Sequence, residues 1–75
     1  MNFTLYSRAG CPLCEDMAAG LDALGLDYAE VDIDRDPELK ARYDWDVPVL
    51  MGPVGEVCRH FWNPIAVRDY LARLG

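Results

Sequence analysis

Three of the prolines in this 75-residue chain stand where helices start. Proline suits a first helical position because the N–H it lacks would have no partner there. Pro12 follows Cys11 and opens a segment in which Leu13, Met17, Leu21 and Leu24 recur at helical spacing and form an apolar stripe. Glu15 and Asp16 in its first turn complement the helix dipole, and Gly25 is the expected stop. Gly20, inside this helix, costs about 1 kcal/mol relative to alanine and points to close packing against a neighbour. Pro37 follows Asp36, a capping residue, and leads a short helix to about Tyr43 with Leu39 and Tyr43 on its inner face. Pro64 follows Asn63 and opens a last helix whose apolar positions are Ile65, Val67, Leu71 and Leu74.

The segments between these helices have the composition of strands. Asn2 to Tyr6 is rich in β-favouring side chains and ends in the loop Ser7-Arg8-Ala9-Gly10. Tyr28 to Ile33 alternates, with Ala29, Val31 and Ile33 expected to face inward. Val47 to Met51 is a short apolar run suited to a buried strand; Gly52 to Gly55 is a turn, and Glu56 to Phe61 reads as the returning strand of a hairpin. The order is β-α-β-α-β-β-α. A β-α-β unit gives parallel strands with a right-handed crossover, and the hairpin adds an antiparallel pair. The expected architecture is a single α/β domain over residues 1–75, with a four-stranded mixed sheet flanked by three helices.

Composition narrows the function. The net charge of −6 comes without any cluster of Lys and Arg, which excludes nucleic-acid binding by counterion displacement. No apolar run approaches the roughly 20 residues of a membrane span. The segment from Met1 to Tyr6 lacks the basic start and apolar core of a secretory signal, so a cytoplasmic location and a monomer with no membrane partner are expected. Three cysteines, two of them close together, do not make a secreted disulfide framework.

Cys11-Pro12-Leu13-Cys14 is the sharpest chemical feature. It places Cys11 at a helix N-cap, where unpaired backbone N–H groups favour an anion and so a thiolate, the attacking species in disulfide exchange. Cys14 lies one turn on, within reach of a mixed disulfide formed at Cys11. A CxxC also suits zinc, and Cys58 and His60 would complete a Cys3His set if one strand face carried both. The simpler reading makes Cys58 a small core hydrophobe and His60 a polar residue at a strand end, with no metal bound.

The stretch Leu5 to Cys14 resembles the active-site opening of glutaredoxins. Val31-Asp32-Ile33-Asp34 followed by Asp36-Pro37-Glu38-Leu39 is similar to the second strand and following helix of that family, so the likeness covers nearly the whole chain. It implies a thioredoxin-like, glutaredoxin-like fold and a thiol–disulfide oxidoreductase that holds no bound cofactor. It implies Cys11 as nucleophile and Cys14 as resolving thiol. Substrate contacts are implied at Arg8, Pro12, Val47 and Pro48. Pro48 is implied to be cis, exposing the Val47 backbone to an extended substrate. Arg8 stands where the family carries a basic residue that favours the thiolate and meets a substrate carboxylate. The expected partner is a disulfide-bearing protein or glutathione, with glutathione or a reductase as the electron source. Three departures weaken the case for glutathione as direct partner. Asp46 precedes Val47-Pro48 where glutaredoxins carry Thr, the family's Gly-Gly pair is missing from residues 52–64, and Glu15 and Asp16 follow Cys14 directly. A protein-binding module working at the Pro48 edge with little turnover, and a metal or iron–sulfur carrier, are the alternatives. Trp45, three residues before Pro48, is a candidate wall for a substrate groove.

Overall fold

A computed structural model describes residues 2–75; Met1, the first residue of the segment that lacks the features of a secretory signal, lies outside the described residues. The elements are β1 (Phe3–Ser7), α1 (Pro12–Ala23), β2 (Tyr28–Asp32), a 3-10 turn (Ile33–Arg35), α2 (Pro37–Tyr43), β3 (Val49–Gly52), β4 (Gly55–Arg59) and α3 (Pro64–Leu74). All three prolines open helices, and each cap is made by the preceding side chain: Cys11 accepts from the Cys14 N–H, Asp36 from Glu38 and Leu39, and Asn63 from Ala66. The sheet order is β2-β1-β3-β4, with β1 parallel to β2 and antiparallel to β3, and β3 antiparallel to β4.

Strand alternation divides the core between the two faces of this sheet. Phe3, Leu5 and Leu50 face one side, where they pack with Met17 and Leu21 of α1 and Val67 and Tyr70 of α3. Val49 faces the other side, with Ile33 and with Tyr43 of α2, and Tyr6 stacks on the Tyr43 ring at 4.9 Å between centroids. The two central strands, β1 and β3, are therefore covered on both sides. Among the described residues no helix is long and apolar enough to cross a membrane.

Several side chains depart from the expected pattern. The buried stripe of α1 is Cys14, Met17 and Leu21, whereas Leu13 and Leu24, near the two ends of the helix, are exposed. Ile65 is exposed at the start of α3, and Tyr70 takes the buried place further along. Ala29 is exposed on the edge strand β2, and Ile33 reaches the core from the 3-10 turn rather than from the strand. The hairpin's second strand ends at Arg59, two residues short of Phe61.

Gly20 explains itself by what lies over it. A Cβ at this position would fall on the indole of Trp62, which packs against the α1–α3 side of the core. Helix propensity alone would make Gly20→Ala stabilising by about 1 kcal/mol. Overpacking of a filled core costs roughly 1–3 kcal/mol, so the clash wins or at least cancels the gain. Gly20→Ala is expected to lower the urea midpoint with an unchanged slope. A raised midpoint would mean that Trp62 is free to leave the helix surface.

Candidate active site

The cysteine pair lies where β1 hands over to α1. Gly10, with φ +74°, turns the chain in the left-handed region that favours glycine, and Cys11 then takes the extended N-cap conformation. Cys11 and Cys14 are joined as a disulfide with their Cα atoms 5.2 Å apart. The Cys14 N–H donates to Cys11 Sγ at 3.2 Å, and the Glu15 N–H donates to the Cys11 carbonyl at 3.1 Å. One helix N–H thus meets the Cys11 sulfur at the positive end of the helix dipole, an arrangement that favours negative charge on it once the disulfide is open. The two sulfurs differ in access: Cys11 is half-buried, while Cys14 is 2 % exposed.

The second wall comes from the start of β3. The Val47–Pro48 peptide bond is cis. Tyr6 pairs with Val49, so the same register carried one residue further sets Pro48 beside Ser7, at the end of the sheet from which the cysteine loop departs. The Pro48 carbonyl accepts the His60 N–H at 2.8 Å. His60 makes that bond with φ +76°, which ends β4 and turns its ring onto Asp46 Oδ1 at 3.1 Å. Arg59 reaches the other oxygen of Asp46 at 3.1 Å and also pairs with Glu56. The Asp46 carboxyl is consequently held below its ordinary range, first by the His60 hydrogen bond and then by the Arg59 charge. Asp46, where glutaredoxins carry Thr, is thus an anchor for the segment leading into Val47 and Pro48.

Arg8 departs from the expected role. Its Nε and Nη2 grip Asp34 at 3.1 and 2.8 Å, while Nη1 and Nη2 hold the carbonyl and carboxylate of Asp44 at 3.0 and 2.6 Å. The guanidinium is committed to these groups instead of being left for a substrate carboxylate. It ties the loop before Cys11 to the 3-10 turn and to the end of α2, and its hydrogen bonds lower the Asp34 pKa. Pro12 is exposed at the helix start beside Cys11, Val47 is half-buried and Pro48 is buried.

Cys58 stands opposite Leu50 and packs against the core, where burial pushes its thiol pKa up. His60 has left the strand, so the two do not share a strand face. Among the described residues no group of three or more His, Cys, Asp or Glu side chains is placed to hold a metal ion, and the Cys3His alternative is not assembled.

A disulfide-forming pair at a helix N-cap in a β-α-β-α-β-β-α fold invites comparison with known proteins. The glutaredoxin-like domain (DUF836) model matches residues 2–72. The chain belongs to the glutaredoxin-like family. An X-ray structure of the protein XcR50 from X. campestris is similar to this glutaredoxin-like chain at 32% identity and a TM-score of 0.82, covering 95% of this chain and 96% of the other. The solution structure of Ne2328 from Nitrosomonas europaea matches at 31% identity and 0.80, over 92% and 88%. NrdH-redoxin from Escherichia coli, a glutaredoxin-like protein, shares the fold at 24% identity and 0.69, over 91% and 93%. Comparison with curated protein sequences returns no match. The glutaredoxin-like fold and its cysteine pair together support oxidoreductase activity in general.

Proposed function

We propose that this glutaredoxin-like chain is a dithiol oxidoreductase that reduces disulfides through Cys11 and Cys14. The observation that carries the reading is the asymmetry of the pair, a half-buried cysteine at the N-cap backed by a buried one a turn away. In the reduced protein the Cys11 thiolate attacks one sulfur of a substrate disulfide. A Cys11–substrate disulfide forms, and the displaced sulfur leaves as a thiolate that takes up a proton. Cys14 loses its proton and attacks Cys11 Sγ. The Cys11–Cys14 disulfide forms, the second substrate thiol is released, and two electrons have passed to the substrate. An external thiol or dithiol restores the pair, so no bound cofactor is needed. Val47, ahead of the cis peptide, offers its backbone to the substrate chain, and Arg8 acts by holding the Cys11 loop.

Thiol trapping and mass spectrometry across a graded glutathione buffer test this reading. A Cys11–Cys14 disulfide is expected to titrate near the roughly −200 to −270 mV span of glutaredoxins and thioredoxin. A pair that stays reduced throughout would overturn it.

A further inference from the structure

We infer that this site takes disulfides carried on a basic, partly apolar protein segment and turns away glutathione. The inference rests on the oxidoreductase reading and names its substrate class. Its first support is bare apolar surface toward the end of the sheet from which the cysteine loop departs: Trp45 is 90 %, Phe61 55 % and Leu13 48 % exposed. The three come from separate segments, each of which lies toward the same end of the sheet. Arg8, three residues before Cys11, holds Asp44 next to Trp45. His60, next to Phe61, holds the Pro48 carbonyl and Asp46. Leu13 lies between the cysteines themselves. Exposed aromatic side chains of this kind are the usual anchors of a protein partner. Glutathione, built from Glu, Cys and Gly, has no apolar side chain to cover them.

The second support is charge. Glutathione presents two carboxylates, which cationic side chains hold most strongly. Arg8 is committed to Asp34 and Asp44, and Arg59 to Glu56 and Asp46. Beside Cys14 a cavity of about 670 Å3 opens, lined by Glu15, Glu30, Asp32 and Asp36 and by Arg35 and the already paired Arg8; Glu30 accepts from Ser7, and Asp32 and Asp36 accept backbone N–H groups, neutral donors that leave the carboxylate charges in place. Carboxylates outnumber the remaining cation there, so the cavity admits a lysine or arginine side chain and repels a carboxylate. The occupant that satisfies both features is a protein segment with an apolar residue for Trp45 and Phe61 and a basic residue for the cavity.

The test measures steady-state turnover by the full chain. Dithiothreitol supplies the two electrons of each cycle and ends as its own cyclic disulfide. The substrates are two peptide disulfides, identical except for lysine or glutamate flanks, and oxidised glutathione. At low salt the lysine peptide is expected to exceed the glutamate peptide in kcat/KM by about tenfold or more, with the gap closing as salt screens the charges. Trp45→Ala is expected to lower kcat/KM for the lysine peptide by about tenfold, and its high exposure means the variant should fold. Glu30→Gln with Asp32→Asn is expected to shrink the lysine preference. Equal rates for the two peptides at low salt, or glutathione turned over as well as the lysine peptide, would overturn the inference and leave the oxidoreductase reading standing. Failure to turn over any of the three disulfides would remove the oxidoreductase reading itself.

Discussion

Cys11→Ser is expected to reduce disulfide turnover to roughly a thousandth of the parent rate or less, because a serine hydroxyl at neutral pH does not replace a thiolate as nucleophile. Cys14→Ser should behave differently. It leaves the attacking sulfur, the cap and the exposed position intact, but removes the thiol that releases the mixed disulfide. With a peptide disulfide in excess, the Cys14→Ser protein should stall with one half of the substrate covalently held, seen as added mass on Cys11. The contrast follows from burial: Cys14 is 2 % exposed, so on the proposed route it is expected to meet a substrate only after Cys11 has drawn it in. The same logic orders alkylation of the reduced parent protein. Cys11 should react first, and Cys58 slowly, since burial raises its thiol pKa and depletes its thiolate. If Cys14→Ser turned over freely with peptide substrates, the two-thiol route would be replaced by one in which an external thiol resolves at Cys11. If Cys11→Ser kept full activity, Cys11 would not be the nucleophile.

The framework of this fold was legible because its signals are local. Pro12, Pro37 and Pro64 each sit beside their own cap, and strand composition fills the gaps, so element order and the position of the CxxC follow from neighbours in sequence. What local signals do not carry is reach. Leu13 and Leu24 keep helical spacing, yet are exposed near the ends of α1, where spacing says nothing about what stands opposite; Ile65 stands two residues before Val67 and so falls on the far side of α3. The β pattern runs smoothly through Phe61, but His60 breaks it, because its N–H is needed at the Pro48 carbonyl. Arg8 is the sharpest case on the site itself. Its position beside the cysteines was plain, while its partners are 26 and 36 residues away, and only the folded chain shows that Asp34 and Asp44 claim it. The cis bond at Pro48 came from likeness to glutaredoxins; nothing in the residues alone distinguishes it from a trans turn.

Leu50→Ala should cost more stability than any surface change in the molecule. Leu50 and its cross-strand partner Leu5 are fully buried on the two central strands, in the cluster that joins α1 and α3 to the sheet. Truncating such a leucine removes transfer free energy and leaves a cavity, together worth about 2–5 kcal/mol. A domain of 75 residues has about 4–11 kcal/mol in total at 0.05–0.15 kcal/mol per residue, so about a fifth of the stability is at stake at the least, and at the most all of it. Ile65→Ala deletes a comparable apolar side chain from the surface and should change stability by no more than about 0.5 kcal/mol. Urea unfolding of the two variants separates these magnitudes. The Leu50 change should also reach the active end, since Leu50 lies two residues after Pro48 and loosening of β3 slackens the wall facing the cysteine loop. Peptide turnover by Leu50→Ala is therefore expected to fall at temperatures where the variant is still folded. A near-neutral Leu50→Ala would mean that the cluster collapses around the missing side chain, and that the sheet at this end tolerates rearrangement its packing does not suggest.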